Sequence, residues 1–120
     1  MSVRSYRDLI VWQRSMELVE ETYSLCSRLP PAERDALADQ MRRSAVSVAA
    51  NIAEGHSRVH RKEFLHMLSI ARGSLMELET HLLIAERVYL LSDDQVSRAL
   101  ALLDEVSRML SAMRAKLSTS

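Results

Sequence analysis

The sequence has few of the residues that form turns: two glycines and two prolines in 120 residues. So low a content argues against a β-rich fold, whose many turns need these residues. A single cysteine, Cys26, excludes an internal disulfide and fits a reducing compartment. No apolar run approaches the roughly 20 residues of a membrane span, and the charged N-terminus does not resemble a secretory signal. We therefore expect a cytoplasmic protein with one domain, residues 1–120.

Net charge is also absent, since 16 basic residues balance 16 acidic ones, which excludes a general polyanion binder. The charges are nevertheless segregated along the chain. Residues 40–72 contain six arginines and lysines against two glutamates, whereas residues 73–105 contain two arginines against seven acidic residues. The chain can thus present a basic face, or its basic part can pair with an acidic part of itself or of a neighbour. Both interpretations remain open at this point.

The hydrophobic spacing divides the chain into four amphipathic helices, because apolar residues recur three or four positions apart. Pro30 and Pro31 end the first helix, since proline cannot continue the helical hydrogen bonds. Gly55 is suited to cap the second helix, and Ser92 begins a capping box for the fourth. Short connections favour an all-α, antiparallel up-down four-helix bundle. The predicted helices are about 6–28, 31–54, 60–90 and 93–117.

Each predicted helix has one apolar stripe that faces the core. The first stripe comprises Leu9, Trp12, Met16, Val19, Tyr23 and Cys26. The second comprises Leu37, Met41, Ala45, Val48 and Ile52. The third comprises Phe64, Leu68, Ala71, Leu75, Leu78, Leu82, Ala85 and Tyr89. The fourth comprises Val96, Ala99, Leu103, Val106, Leu110, Met113 and Leu117.

Further apolar residues lie beside these stripes and have no assigned place in the core. They are Leu18, Leu25, Leu65, Met76, Leu83, Ile84, Leu102 and Met109. Such residues either widen the core face of each helix or cover a surface at which copies of the chain associate.

A second pattern on the predicted second helix is polar. Its members, three or four positions apart and so on one helix face, are Gln40, Arg43, Ser47, Asn51 and Glu54. The third helix can supply interaction partners for them, namely Arg72, Ser74 and Glu77. We expect these groups to form a structural network within the bundle or between subunits. Gly73 is expected at a close approach of two helices, because mid-helix glycine otherwise costs about 1 kcal/mol.

A basic set surrounds the connection between the second and third helices. It consists of Arg42, Arg58, Arg61 and Lys62. Cations at a helix N-terminus oppose the helix dipole, so Arg61 and Lys62 are not there for helix stability. A bound phosphate would benefit from these cations and from the free amides of the first turn. The set is therefore a candidate phosphate-binding site for nucleic acid, with an ordinary solvated surface as the alternative. Because aromatic residues are few, we do not expect bases to stack on this site.

Enzymatic interpretations are not favoured. Glu63 and His66 have the Glu-x-x-His spacing of di-iron bundles, but the second copy that such a site needs is absent from the sequence. Cys26 has no adjacent base, and no glycine-rich phosphate loop occurs. We expect no catalytic residue, no metal and no cofactor.

Several of these residues together resemble a known family. They are Trp12-Gln13, Leu29-Pro30, Gln40, Arg43, Ser47, residues 51–55, Phe64, residues 71–74, Glu77 and Tyr89-Leu90. The combination resembles the four-helix-bundle proteins encoded in intervening sequences of bacterial 23S ribosomal RNA. This family also includes the accessory variability determinant of diversity-generating retroelements. The resemblance is strong over about residues 5–92, although Ala49 stands where family members commonly have proline.

The resemblance implies a cytoplasmic bundle that assembles into a ring-shaped homopentamer. In the retroelement accessory protein a basic surface engages nucleic acid and a reverse transcriptase. By this likeness we expect a non-enzymatic, oligomeric nucleic-acid-binding or scaffold protein, with RNA as the preferred ligand over DNA. The alternative is a purely protein-binding scaffold for a partner such as a reverse transcriptase. No membrane partner is expected.

Overall fold

The structure, a computed structural model, describes residues 4–119 and contains four α-helices and no strand in that range. The predicted domain of residues 1–120 extends slightly beyond these described residues. Short 3-10 turns at Tyr6–Asp8 and Pro31–Glu33 precede the first and second helices. The all-α prediction is confirmed. The helices are α1, Ile10–Cys26; α2, Leu37–His56; α3, Arg61–Arg87; and α4, Asp93–Ser118.

The helices form a closed bundle in which α1 packs on α2 and α4, and α3 packs on α2 and α4. Each helix runs antiparallel to the next, as the pairs Ser47–Ser74 and Gly55–Phe64 show for α2 and α3. The described part measures 46 × 24 × 22 Å. The three connections between helices therefore lie at one end or the other of a long bundle.

The second helix begins later than predicted. Pro31 starts a 3-10 turn, and the backbone of Ala36, with φ −121° and ψ −105°, separates that turn from α2 at Leu37. Proline is favourable in the first turn of a helix, but it does not determine whether the turn continues as α-helix.

The core face of α1 differs from the predicted stripe. Its buried residues are Val11, Ser15, Leu18, Thr22 and Leu25, together with Cys26. Ser15 Oγ donates a hydrogen bond to the Val11 carbonyl, and Thr22 Oγ1 donates one to the Leu18 carbonyl, each at 2.7 Å. Because the helix itself satisfies these hydroxyls, they can be buried among apolar residues.

As a consequence the predicted first stripe lies mostly outside the core. Met16 is 38% exposed and Tyr23 is 49% exposed, while Trp12 and Val19 are half-buried. The apolar residues beside the predicted stripes mostly belong to the core or its edge. Leu18, Leu25 and Leu102 are buried, Leu65, Met76 and Met109 are half-buried, and only Leu83 and Ile84 are exposed.

The stripes of α2, α3 and α4 are confirmed over their central parts. Tyr89, however, is not in the core: it lies beyond the end of α3, 93% exposed, with a positive φ of 62°. The amides of Tyr89 and Leu90 donate to the carbonyls of Glu86 and Ala85, at 3.2 and 2.9 Å. This is the Schellman arrangement, which needs a left-handed residue at the position of Tyr89.

Both glycines have roles other than those predicted. Gly55 is buried inside α2 and has no positive φ, so it is not a left-handed cap. A Cβ there would lie 2.8 Å from Phe64 Cδ1 and 2.9 Å from Met67 Cβ, so Gly55 permits the close packing of α2 on α3. A Cβ on Gly73 would meet no atom within 4 Å. Within a single chain, therefore, no helix approaches Gly73 closely.

Candidate nucleic-acid interface

Positively charged residues from three separate segments of the chain converge at one end of the bundle. In an antiparallel bundle the start of α1, the α2–α3 connection and the end of α4 share this end. Direct packing supports the placement: Ile10 and Lys116 line one groove, and Tyr6 and Ala53 line another. We call this surface the basic end. Its cations are Arg4, Arg7, Arg58, Arg61, Lys62, Arg114 and Lys116.

Arg58 is held by carboxylates within the basic end. Its Nη2 atom is 2.6 Å from Glu54 Oε1, and its Nη1 atom is 3.7 Å from Glu63 Oε2. Arg61 and Lys62 are exposed in the first turn of α3, which no side chain caps. Of the three predicted phosphate-binding residues at this end, Arg58 thus joins the loop to α2 and α3, while Arg61 and Lys62 face solvent.

A shallow cavity of about 370 Å³ opens beside these residues. It is lined by Arg58, Lys62, Glu63, His66 and Met67. Its walls therefore combine two cations with a carboxylate that already pairs with Arg58.

Arg42, the fourth predicted phosphate-binding residue, does not belong to the basic end. It lies fourteen residues before the end of α2, which corresponds to about 21 Å along the helix axis. Its Nη2 atom donates a hydrogen bond to the Arg34 carbonyl at 3.2 Å. Arg42 is therefore close to the basic end in sequence, but the length of α2 separates the two in space.

Four cations of the basic end were missed in the sequence: Arg4, Arg7, Arg114 and Lys116. They come from the two ends of the chain and are far in sequence from the basic segment around the α2–α3 connection. The predicted topology contained the necessary signal, because an antiparallel four-helix bundle brings the first and last residues next to the α2–α3 connection.

The predicted polar network exists in a smaller form between α2 and α3. The hydroxyl oxygens of Ser47 and Ser74 are 2.7 Å apart. Asn51 Nδ2 donates to the Ser47 carbonyl at 2.8 Å and to Ser47 Oγ at 3.0 Å. All three side chains are half-buried, so these bonds join the two helices at a partly dry surface.

The remaining members of that pattern lie outside the network. Arg43 is 75% exposed in its side chain and pairs with Asp39 at 2.8 Å on the same helix. Glu54 pairs with Arg58 instead. Gln40, Arg72 and Glu77 are exposed, and their side chains make no hydrogen bond or ion pair to other residues in the range 4–119. A single chain therefore uses only three of the eight predicted polar residues as a link between helices.

A separate apolar surface lies along the outside of α1 and α2. We call it the apolar face, and its groove of about 300 Å³ is lined by Tyr6, Trp12, Met16, Val19, Val46, Ala49, Ala50 and Ala53. The rings of Tyr6 and Trp12 meet edge to face, with centroids 5.1 Å apart. The residues predicted to fill the core of α1 thus contribute instead to an exposed apolar surface.

Within residues 4–119, no three His, Cys, Asp or Glu side chains gather as metal ligands would. Glu63 and His66 line the cavity of the basic end rather than the bundle core. In the same range no helix combines the length and the apolar character that a membrane crossing requires.

The fold and the basic end define a class: four-helix bundles with a cationic end and an exposed apolar side. Comparison with known sequences identifies the family within it. The model of the family described as 23S rRNA-intervening sequence protein matches residues 7–112. The chain therefore belongs to the 23S rRNA-intervening sequence protein family, as the resemblance implied.

A solved structure supports the fold independently. It is a crystal structure of a protein with unknown function from the S23 ribosomal protein family of Bacteroides thetaiotaomicron. It matches with a TM-score of 0.81 and 24% sequence identity, over 88% of this chain and 98% of that one. Identity this low establishes the shared fold alone. No curated protein matches the chain.

Proposed function

We propose that this chain forms a non-enzymatic, oligomeric protein that binds the phosphate backbone of RNA through its basic end. The observation that carries the proposal is the convergence of seven cations from three segments at one end of the bundle. Three carboxylates accompany them, Asp8, Glu54 and Glu63. The surface is therefore strongly cationic although the whole chain is neutral.

The carboxylates of the basic end are themselves engaged within the chain. Asp8 Oδ2 accepts hydrogen bonds from the amides of Arg4 and Ser5, at 2.9 and 3.3 Å. Glu54 and Glu63 both face Arg58. They consequently offset Arg58 most strongly among the cations of the basic end. Cations that neutralise phosphates release counterions from the nucleic acid, which favours binding.

The preference for RNA over DNA rests on the description of the family, which refers to 23S rRNA. The mode of binding follows from the side chains of this chain. Phe64 packs against Gly55, and Trp12 lies in the apolar face, so neither offers a free ring at the basic end for base stacking. We infer recognition of backbone charge and shape rather than of base sequence.

Self-association through the apolar face would repeat the basic end around a symmetric assembly. The family resemblance suggests a homopentameric ring in the cytoplasm. Several weak phosphate sites on one rigid particle would bind a single RNA more tightly than one site alone. A closed ring would also cover Met16 and Val46, whose exposure in a single chain is unfavourable.

The alternative is a scaffold that binds only a protein, such as a reverse transcriptase. The apolar face favours this function, since it could receive a partner protein instead of another copy of the chain. The two functions differ in their response to salt, because binding at phosphates weakens steeply as salt concentration rises whereas apolar association does not.

The deciding experiment titrates a fluorescently labelled RNA with the purified protein at two salt concentrations. In the variant Arg61→Glu/Lys62→Glu, we expect affinity to fall by about tenfold or more and the salt dependence to flatten. The matched control is Arg72→Glu/Arg87→Glu, which makes the same charge change at exposed positions of α3 away from the basic end. Equal affinities of the two variants would refute binding at the basic end.

A further inference from the structure

A cavity of about 340 Å³ lies at the end of the bundle opposite the basic end. It opens where α1 ends, where the 3-10 turn crosses over, and where α2 begins. We call it the Cys26 cavity. Its lining residues are Tyr23, Cys26, Ser27, Leu29, Pro30, Pro31, Arg34, Ala38 and Arg42. The basic end plays no part in it, since Arg42 lies about 21 Å along α2 from the helix end.

The charge of this cavity is entirely positive. Arg34 and Arg42 line it, and no carboxylate is among its lining residues. Asp39 of α2 lines the neighbouring groove and is paired with Arg43 at 2.8 Å. Two guanidinium groups without an acidic partner at a concave site favour an anionic ligand.

Arg42 is fixed in position before any ligand arrives. Its Nη2 atom donates to the Arg34 carbonyl at 3.2 Å, and the side chain is only partly exposed. The remaining nitrogens of this guanidinium stay available as donors. A donor that is already ordered loses little conformational entropy when it binds, which strengthens the interaction with an anion.

The thiol at the floor of the cavity faces Arg42 and is only a weak partner for it. Burial raises the pKa of Cys26, and the neighbouring Arg42 only partly opposes this effect. The Sγ atom lies 3.5 Å from the Ala38 carbonyl, as expected for a neutral thiol that acts as a weak donor. Cys26 is therefore a small floor that is mostly neutral, and its thiol reacts slowly, through the small ionised fraction.

The walls of the cavity add a surface for a flat ring. Tyr23 is 49% exposed, and Pro30 and Pro31 are exposed beside it. The volume falls within the range of pockets for small organic ligands. We propose that the Cys26 cavity binds a small phosphate monoester that carries a planar ring, a mononucleotide in chemical class. Arg34 and Arg42 hold the phosphate, and Tyr23 and the two prolines contact the ring.

The single cysteine makes this proposal directly testable, because thiol modification reports on one site only. The rate at which a chromogenic aromatic disulfide modifies Cys26 is measured with adenosine 5′-monophosphate, inorganic phosphate or adenosine present. We expect millimolar adenosine 5′-monophosphate to slow the reaction, inorganic phosphate to slow it less, and adenosine to have the smallest effect. Calorimetric titration with adenosine 5′-monophosphate measures the affinity without the reagent.

Variants then connect the effect to the arginines. Arg34→Gln and Arg42→Gln should each weaken binding of adenosine 5′-monophosphate by about tenfold or more. The control Arg72→Gln, an exposed change on α3, should leave it unchanged, and circular dichroism verifies that each variant is helical. Absence of protection would overturn the proposal, as would protection that survives Arg42→Gln or equal protection by inorganic phosphate.

Discussion

Gly55 of α2 lies against Phe64 of α3 so closely that a methyl group on it would sit 2.8 Å from Phe64 Cδ1. The same methyl group would lie 2.9 Å from Met67 Cβ, an atom that cannot move without its backbone. We expect Gly55→Ala to lower the free energy of unfolding by about 1–3 kcal/mol, because α2 and α3 must separate to admit the methyl group. Chemical denaturation monitored by circular dichroism measures the change.

Gly73 provides the matched control for that substitution. It also lies inside a helix, but it is exposed and a Cβ there meets no atom within 4 Å. Gly73→Ala should therefore raise the free energy of unfolding by about 0.5–1 kcal/mol through helix propensity. Effects of the same sign at the two glycines would contradict the packing described for Gly55.

The architecture was predictable because three helices have apolar stripes that the sequence does not interrupt. The stripe of α1 was not, since its true core face contains Ser15 and Thr22. Their hydroxyls are satisfied by carbonyls one turn earlier, a fact that hydrophobic spacing does not encode. A competing stripe through Met16 and Tyr23 is more apolar, but it faces outward.

The candidate site was predictable only in part, for a related reason. The sequence places Arg61 and Lys62 next to each other, and both belong to the basic end. Arg42 is also close to them in sequence but does not belong to the basic end, whereas Arg114 belongs to it and is distant in sequence. Which cations share a surface depends on the lengths and directions of the helices. The two glycines show the same limit: sequence alone does not distinguish the glycine that a neighbour requires from the one that nothing requires.

Tyr89 has a left-handed backbone conformation that suits glycine better than tyrosine. Its φ is 62°, and its side chain is 93% exposed, so little packing is lost on truncation. We expect Tyr89→Gly to raise the free energy of unfolding by about 0.5–1 kcal/mol. Relief of backbone strain stabilises the folded chain, and the greater entropy of the unfolded glycine variant offsets part of that gain. Tyr89→Val should lower it, because a β-branched residue is more strained there. Thermal unfolding of both variants tests the prediction, and a stabilising valine would refute it.

Ser47 and Ser74 should contribute jointly to the packing of α2 on α3. Their hydroxyls are 2.7 Å apart and half-buried. In a double-mutant cycle of Ser47→Ala and Ser74→Ala, we expect a coupling energy of about 0.5–1.5 kcal/mol. Ser69→Ala serves as the control partner, because Ser69 bonds only to the Leu65 carbonyl of its own helix, at 3.2 Å. Additivity in the first cycle would show that the serine pair stabilises nothing.

Glu86 should make a contribution to stability that depends on pH, and the changes below refer to that contribution. A hydrogen bond with Asp93 and the charge of that residue raise the pKa of Glu86 above its ordinary 4.5. Asp93 is at the first position of α4, where the helix dipole favours its ionised form. The folded state therefore binds the extra proton, and the free energy of unfolding should fall as pH rises from 4.5 through the raised pKa of Glu86.

The variants Glu86→Gln and Asp93→Asn should each remove this pH dependence, because either change eliminates the pair of carboxyl groups. Glu86→Gln should be more stable than the parent chain at neutral pH, and the advantage should vanish below pH 4.5, the ordinary value for this group. Denaturation curves across this range measure both effects. If the difference in stability between the parent chain and Glu86→Gln is the same at pH 4.5 and at neutral pH, the two carboxyl groups do not interact.

Val46 should decide whether the apolar face is an interface between copies of the chain. It is 43% exposed beside Trp12 and Met16, and a charge introduced there would be buried in any assembly through this face. Val46→Glu should raise the dissociation constant of the oligomer by about tenfold or more. Light scattering at micromolar concentration measures the mass, and circular dichroism confirms that α2 remains helical.

The control for Val46 is Val59→Glu, which places the same charge at a residue that is 92% exposed in the α2–α3 connection. The mass of this variant should equal that of the parent chain, because the residue lies away from the apolar face. A parent chain with the monomer mass of 13.6 kDa would refute assembly altogether. If the oligomer persists in Val46→Glu, the copies of the chain associate through another surface. The apolar face would then be available to a different protein, and the scaffold function would be the better explanation.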